Sequence, residues 1–451
     1  MPRIGLRTLI LLTLTLLVGP VTGVANADQT VSWQRAIDMA LDGNDELKAA
    51  SHSVAAQQQE IGVARSNLLP KVNFEERFLR TDNPAFVFMS KINQARLTSQ
   101  DLATAPQSFN HPSPLTDFQT LLTVEQPIFA RKAQVGVTMA RNEYLAKNEE
   151  FIRKKEEVVF KVVQTYLLVH TAKEFVKTAE QAVEDFKEHL RIAELRVQAN
   201  LGLYSDALRA STAVKAAEQK LVSAQKKLNV VRRALGLVLG RTDSVDIEAE
   251  TPDLTLQEVG YYTSTSLSRK DLKSLQMRYE NARKNIQLAE ADYFPMLGVG
   301  SVVQWNDHSV PFGADGDSWQ VMAFLRWNLF DGARREYERS KAKSQMAQVR
   351  ESLTGLEKAV SYQVYEAHQE VEEARKNAEL ARAALVTAEE GARLVKVRYE
   401  NSLSPLVDLL DVQLSLNQAR TGVVATENEY RIAIANLGFQ SGSLLQDLKV
   451  E

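Results

Sequence analysis

Residues 176–197 read VKTAEQAVEDFKEHLRIAELRV, and the spacing of their apolar side chains decides the fold class. These side chains recur at alternating intervals of three and four, which is the a/d pattern of a coiled coil. The stretch holds neither glycine nor proline and is rich in strong helix formers. It therefore predicts a long helix that packs against a partner helix along its length. The seam residues are Val176, Ala179, Val183, Phe186, Leu190, Ala193 and Val197.

The same seam recurs 202 residues further along the chain, from Ala378 to Tyr399. The same shift aligns Asp206 with Asp408 and Arg196 with Arg398. One shift that holds over several elements indicates an internal duplication. We expect repeat one at residues 28–240, an equatorial linker at 241–262, repeat two at 263–440 and a C-terminal tail at 441–451.

Each repeat is predicted to contain one long helix, at residues 133–199 and 333–401, each about 100 Å in length. Long seams of this kind favour a coiled-coil rod over a globular core. Shorter helices should lie beside the long ones, at residues 33–69, 206–239, 268–294 and 405–438.

The long helices are predicted to reverse direction at two tips, residues 200–205 and 401–405. Gly202 suits a tight turn. Ser205 and Ser404 are predicted N-caps of the returning helices, and Pro405 suits the first helical position.

Alternating apolar and polar residues predict two β-hairpins, one per repeat, at residues 71–127 and 295–330. Each strand is about ten residues long, which is the length of a transmembrane β-strand. The connection at residues 308–317 is short. The connection at 81–117 is long and polar, and we expect it to be a loop.

The composition of the 451 residues excludes several classes of protein. The chain has no cysteine, which excludes disulfides, thiolate metal sites and a cysteine-linked lipid anchor. Its 54 basic and 57 acidic residues give a net charge of −3, which argues against nucleic acid as a partner. A basic start, an apolar run at residues 9–18 and small residues before position 28 predict a cleaved signal peptide at 1–27.

Four strands cannot form a closed barrel in a membrane, because an open edge leaves backbone groups unpaired. The strands must therefore pool with those of other copies, or form a soluble sheet that caps a periplasmic coiled coil. Alternation alone leaves both interpretations open. The export signal and the tryptophans near the strand ends favour the membrane.

The two-fold order of helix, hairpin, long helix, turn and helix is accompanied by several short segments. They are Gln126-Pro127-Ile128-Phe129, Trp327-Asn328-Leu329-Phe330-Asp331-Gly332, Asn67-Leu68-Leu69-Pro70, Tyr293-Phe294-Pro295, Arg398-Tyr399 and Val407-Asp408-Leu409-Leu410-Asp411.

Together and in this order, these features resemble the outer-membrane efflux protein family, the TolC-like channels. The resemblance implies a mainly α fold with a membrane β-barrel. Long antiparallel coiled-coil helices would form an α-barrel, and four strands from each protomer of a homotrimer would form a 12-stranded barrel in outer-membrane lipid. It also implies a passive duct from the periplasm outward, docked through a periplasmic adaptor onto an inner-membrane pump.

Asp408 and Asp411 share one face of a helix just after the second tip. Acids near a helix start also complement the helix dipole, so a structural role is the alternative. The resemblance implies that this pair lines the narrow periplasmic end of the pore, where a ring of carboxylates would attract cations. It also implies that Tyr399 helps to hold this end shut, with seam packing as the rival. Asp206 is a weaker gate candidate, because helix capping explains it as well.

The tips are the predicted adaptor-docking site. Ser404 replaces an arginine found in some TolC-like proteins, and Asn200 and Ser402 stand where the family often has a turn glycine. The predicted docking residues are Asn200, Leu201, Gly202, Leu203, Ser205, Ser402, Leu403, Ser404 and Pro405.

Signals for an enzyme, a cofactor or a metal are poor. No pair of histidines has the four-residue spacing of a zinc helix, and no phosphate-binding loop is present. Asp185 and His189 are four residues apart, and we interpret them as part of a solvated helix face. The expected function is an outer-membrane exit duct of a tripartite efflux or type I secretion system. A soluble periplasmic coiled-coil adaptor or scaffold is the alternative.

Overall fold

The computed structural model describes residues 30–104, 107–252 and 254–450, so the predicted signal peptide lies outside the described residues. Helices dominate, as the coiled-coil pattern predicted. In chain order they are α1 (Trp33–Gly43), α2 (Asp45–Ser66), α3 (Pro84–Asn93), α4 (Ser99–Ala103), α5 (Gln107–Asn110), α6 (Arg131–Gln198), α7 (Tyr204–Val238), α8 (Val259–Ser266), α9 (Lys270–Glu290), α10 (Arg334–Glu400), α11 (Leu406–Ser441) and α12 (Leu444–Asp447).

The two long helices are nearly equal in length, as the predicted duplication leads one to expect. α6 has 68 residues and α10 has 67, so each is about 100 Å long. α7 packs along α6, and α11 packs along α10 and also contacts α6. Within residues 176–197, the buried apolar residues of α6 lie on the predicted seam: Val183, Phe186 and Ala193 belong to one apolar cluster near the tips. Among the described helices, none is both long and apolar enough to be a candidate membrane span.

The predicted helix at 33–69 is wrong, because the chain bends at Asn44 into α1 and α2. The Asn44 side chain caps α2, accepting hydrogen bonds from the backbone amides of Glu46 (2.9 Å) and Leu47 (3.2 Å). Its amide also donates to the carbonyl oxygen of Val238 at the end of α7 (2.9 Å). A capping asparagine thus fixes the bend and ties it to another helix.

The strands are β1 (Thr30–Val31), β2 (Lys71–Thr81), β3 (Leu115–Phe129), β4 (Asp246–Ile247), β5 (Met296–Asp307) and β6 (Gly316–Arg326). β1 and β4 form a short parallel pair. It lies beside the largest apolar core, which includes Val162 and Tyr166 of α6 and Leu444 of α12. The predicted linker 241–262 and tail 441–451 therefore contribute elements that pack on this core.

Both predicted hairpins are present, and they join into one antiparallel sheet in the order β2-β3-β5-β6. The β3–β5 pairing joins the two repeats. The register places Phe74 beside Leu122, Leu122 beside Val303, and Val303 beside Trp319, on one mainly apolar face. Glu76 is a polar exception on that face, and its carboxylate accepts a hydrogen bond from the Thr120 hydroxyl (2.5 Å). Alternation turns the neighbouring, more polar residues to the opposite face.

The predicted loop at 81–117 is wrong in one respect, because it contains the short helices α3, α4 and α5. Asn83 caps α3 by accepting from the amides of Ala85 (3.1 Å) and Phe86 (3.4 Å). Pro84 then occupies the first helical position, which its fixed φ favours.

Candidate functional site

The two tips have the same backbone geometry. In repeat one the amide of Asn200 donates to the carbonyl of Val197 (3.0 Å), and the amide of Leu201 donates to that of Arg196 (2.8 Å). Ser402 and Leu403 repeat both bonds in repeat two, at 3.0 and 2.8 Å. This is the Schellman arrangement, which needs one residue in the left-handed region.

Asn200 (φ 59°) and Ser402 (φ 62°) supply that left-handed residue. Gly202 does not, so the predicted role of Gly202 in the turn is wrong. The predicted N-caps are also wrong, because Leu203 and Pro405 occupy the cap positions and Ser205 lies inside α7. The Ser404 hydroxyl is buried and has no hydrogen-bond partner among the described residues.

The tips expose apolar side chains. Leu201, Leu203 and Leu403 are 69%, 68% and 69% exposed. Leu201 and Leu403 each follow the left-handed residue of a Schellman turn. An apolar side chain at this position commonly packs against the last turn of the preceding helix. Leucines that instead point into solvent at a turn form a surface suited to a protein partner.

Arg196 joins the two tips, and sequence reasoning missed this role. Its guanidinium donates to the carbonyl oxygen of Tyr399 (2.7 Å) and to the hydroxyl of Ser402 (2.9 Å). It also lies over the Tyr399 ring, 4.9 Å from the centroid. In the sequence, Arg196 stood out only because it aligns with Arg398 under the 202-residue shift. That alignment indicates a duplication but predicts no contact for the side chain.

Gly202 makes room for Arg196. A Cβ atom on Gly202 would lie 3.0 Å from the Cβ of Arg196 and 3.3 Å from its carbonyl carbon. Both distances are tighter than ordinary van der Waals contact. Gly202 therefore matters at the tip through close packing and not through its backbone angles.

Asp408 and Asp411 lie on the exposed side of α11. Leu406, Leu409 and Gln413 are buried on the opposite side of the helix. Within the part of the chain that the structure describes, neither carboxylate forms an ion pair. Asp408 lies in the first turn of α11, where the helix dipole favours an acid, but Asp411 lies beyond it. The dipole alternative therefore accounts for Asp408 better than for Asp411.

Asp411 borders a groove of about 440 Å³ between α6, α7 and α11, and six alanines are among the residues that line it. The same groove is bordered by Lys220 of α7. Asp411 and Lys220 thus place charges of opposite sign on the border of one groove.

Tyr399 is buried below the tips, and Asp206 acts on it electrostatically. Tyr399 is 4% exposed and packs with Leu406 and Leu409 below the tips. Burial raises the pKa of Tyr399, Arg196 lowers it, and the negative charge of Asp206 raises it. Asp206 occupies the first turn of α7, as helix capping predicted, and is near enough to act on Tyr399 electrostatically.

The expectation of a solvated face at Asp185 and His189 is wrong, because His189 is 3% exposed. Its Nε2–H donates to the Gln413 side-chain oxygen (3.2 Å), and the Gln413 amide donates to Asp185 (2.8 Å). Arg420 forms an ion pair with the same carboxylate (3.0 Å). These four residues form a polar network between α6 and α11.

This network should make stability depend on pH. Burial lowers the pKa of His189, and the positive charge of Lys396 lowers it further. The hydrogen bond to Gln413 and the negative charges of Asp185 and Glu188 raise it, but the net shift is downward. The unfolded chain therefore binds a proton more readily than the folded chain, so stability falls as pH drops through about 6.5. We expect thermal melts at pH 5.5 and 7.5 to differ more for the parent than for His189→Gln. An exposed control, His52→Gln, should leave the difference unchanged, and an equal difference in all three proteins would contradict this assignment.

Within the described residues, one group of side chains has metal-ligand chemistry: Asp307, His308 and Asp315 meet where β5 turns toward β6. His308 pairs with Asp315. One oxygen of Asp307 accepts from the amides of Ser309 (2.7 Å) and Val310 (2.9 Å), as in an ordinary turn. Hairpin formation therefore explains the group without a metal.

Long paired rods that join an open antiparallel sheet with one apolar face define the class of outer-membrane channel proteins. A family model described as "Outer membrane efflux protein" matches residues 36–241 and 262–443. The chain belongs to this outer membrane efflux protein family, whose members are channels rather than enzymes.

Individual relatives are similar to this chain over nearly its whole length. The outer membrane protein OprJ of Pseudomonas aeruginosa is 23% identical over 415 residues, which cover 90% of this chain and 82% of OprJ. The CusC structure superposes with a TM-score of 0.78 at 16% identity, covering 93% of this chain and 92% of that one. VceC of Vibrio cholerae gives 0.74 at 16% identity, covering 93% and 97%. At these identities the structures establish the fold, which is the TolC-like fold that the sequence predicted.

Proposed function

We propose that this protein is the homotrimeric exit duct of a tripartite efflux or type I secretion system. Substrates would pass through it passively, delivered by an inner-membrane pump through a periplasmic adaptor. Membership of the family places the chain in the outer membrane, with the rods extending into the periplasm. The main support for the proposed trimer is that a single copy leaves helix surfaces and sheet edges without a packing partner.

The predicted duplication supports this assembly, because it indicates which helix faces lack partners. α9 of repeat two packs against both long helices, α6 and α10. Its counterpart in repeat one, α2, packs chiefly against α6, and Leu47 is the only buried residue among its 22. If the repeats are equivalent, the missing neighbour of α2 is α10 of another copy. Repetition of this contact closes a ring.

The sheet leads to the same arrangement. Its outer strands, β2 and β6, each have one neighbour, so their outer edges expose unpaired backbone groups. Pairing β6 of one copy with β2 of the next satisfies both edges. With three copies, the four strands of each chain close into twelve, as the family resemblance implies.

The alternative, a soluble periplasmic scaffold, conflicts with the apolar face of the sheet. Trp319, Val321 and Leu325 of β6 are 75%, 70% and 60% exposed. A water-soluble sheet would bury such residues or replace them with polar ones. Hydrocarbon on this face and water on the other match the alternation of a membrane barrel.

The native mass of the mature protein, extracted with detergent from purified outer membranes, tests the proposal directly. We expect a trimer. A monomer in the soluble periplasmic fraction would overturn the proposal and favour the scaffold.

In the trimer, Asp408 and Asp411 would form a ring of six carboxylates at the periplasmic end, with Tyr399 and Asp206 just behind it. Such a ring would select for cations. The exposed leucines of the two tips would contact the adaptor, and Arg196 would hold the tips in register.

The Gly202→Val variant should impair docking without loss of the trimer. The branched side chain would displace Arg196 and with it the bonds to Tyr399 and Ser402. We expect clearly weaker cross-linking between a photoreactive residue at Leu403 and the adaptor in the native host. Gly136→Val is the matched control, because a Cβ at Gly136 meets no atom within 4 Å. Equal cross-linking by both variants would mean that this tip geometry does not guide docking.

A further inference from the structure

The helix α3 lies across the polar face of the sheet. Its residues Val87 and Ser90 are 2% and 4% exposed, and Gln94 just after it is 1% exposed. These three positions share one side of the helix. α3 contacts β3, β5 and β6, so it spans the join between the two repeats.

A buried carboxylate anchors α3. Asp117 of β3 is fully buried and accepts hydrogen bonds from the Ser90 hydroxyl and the Gln94 amide, both at 2.9 Å. From the sheet, Asn306 donates to it at 3.0 and 3.1 Å and Gln119 at 2.8 Å. Several donors around one buried carboxylate make a specific attachment, because loss of any one leaves a buried charge less satisfied.

A close backbone approach shows which face α3 covers. A Cβ atom on Gly316 would lie 2.0 Å from the carbonyl oxygen of Asn93. Gly316 pairs with Asn306, so the two residues point to the same side of the sheet. This is also the side of Asp117, opposite to the apolar face that carries Trp319.

The outer side of α3 carries exposed apolar side chains. Met89 and Ile92 are 52% and 42% exposed, and Phe86 beside them is 59% exposed. Met89 and Ile92 lie about opposite to Val87, Ser90 and Gln94 around the helix. They therefore point away from the sheet, toward whatever lies beyond its polar face.

This step rests on the proposed trimer, in which the polar face lines the barrel lumen. Twelve strands about 4.8 Å apart and tilted by about 40° enclose a barrel about 24 Å across between backbones. Three helices, each about 10 Å in diameter, fill a circle about 22 Å across when they pack around one axis. The side chains of the wall narrow this space further, so three copies of α3 held against the inner wall near the strand ends would meet at the centre.

We propose that α3 is a plug helix, and that its three copies narrow the outer mouth of the channel with an apolar ring of Met89 and Ile92. The partner of the exposed side of α3 is the same helix of the other two copies. An apolar constriction of this kind narrows the path and excludes bulky solutes until it is displaced. The duct would then pass small solutes more readily than folded polypeptides.

Cysteine cross-linking tests the contact, because the chain has no native cysteine. The Met89→Cys trimer should form covalent dimers under a mild oxidant, since a disulfide needs Cα atoms within about 7 Å. Val310→Cys, at an exposed position of the β5–β6 connection on the barrel wall, is the control and should not cross-link. If the protein is a trimer but does not cross-link at position 89, the plug proposal fails and the proposed trimer stands. A monomeric native mass instead overturns the proposed trimer.

Labelling from outside tests the closure. Gln320→Cys lies on the polar face of β6, and a bulky maleimide-polyethylene glycol should reach it slowly in intact cells. Adding Ser90→Ala and Gln94→Ala, which detach α3 from Asp117, should raise the rate at least about tenfold if an apolar constriction limits entry. A small maleimide should label both proteins at similar rates. An unchanged rate for the bulky probe, with the native mass still that of a trimer, would overturn the plug.

Discussion

Replacing Asp408 and Asp411 together by asparagine is expected to remove most of the cation preference of the channel. At about 8 Å in water each carboxylate contributes roughly 0.5 kcal/mol to the energy of a passing cation, so six contribute about 3 kcal/mol before screening. Physiological salt reduces this to about 1 kcal/mol, because the Debye length is about 8 Å. The cation-to-anion permeability ratio should therefore fall at least about fivefold.

Reversal potentials in planar bilayers with a salt gradient measure this ratio. Asp42→Asn with Asp45→Asn is the matched control, because these exposed acids have the same spacing and lie near the bend between α1 and α2. The control should keep the preference of the parent. If both double variants behave alike, the α11 carboxylates do not line the conducting path. The two single variants separate the contributions of Asp408 and Asp411. We expect Asp411→Asn alone to lower the cation preference, and the helix dipole cannot explain that effect, because Asp411 lies beyond the first turn of α11.

Val321→Arg is expected to prevent assembly in the outer membrane. Val321 is 70% exposed on the apolar face of β6. An arginine that faces lipid at mid-depth costs about 2–4 kcal/mol, and a trimer carries three of them. A total of about 6–12 kcal/mol is comparable to the whole stability of a typical domain.

Gln320→Arg supplies the control for this prediction. It introduces the same charge one residue earlier, where the side chain points to the opposite, polar face of the sheet. Fractionation followed by native mass should find the Gln320→Arg trimer in the outer membrane and little or no Val321→Arg trimer. Equal amounts of both would mean that the apolar face does not contact lipid, and the membrane assignment of the sheet would fail with it.

The candidate site could be predicted only where it follows from one helix or from the duplication. Asp408 and Asp411 share a helix face, but only the resemblance to the TolC-like family implied that they line the pore, and that role stays a prediction. Arg196 was missed, because its partners Tyr399 and Ser402 lie more than 200 residues away and no periodic pattern marks them. His189 was misjudged because α6 packs against several helices, so its buried surface is wider than the a/d seam of a two-helix coil.

By itself the sequence determined the lengths of α6 and α10, their seams, the four long strands and the two-fold repeat. These features depend on the helix or strand propensity of neighbouring residues, or on a short repeat in the spacing of apolar residues. Tertiary structure alone decided the β3–β5 pairing, the bend at Asn44, the bridge from Arg196 and the placement of α3 over Asp117. These features rest on contacts between segments far apart in the chain. Their geometry depends on which surfaces remain free after the long helices have packed, and no local pattern records it.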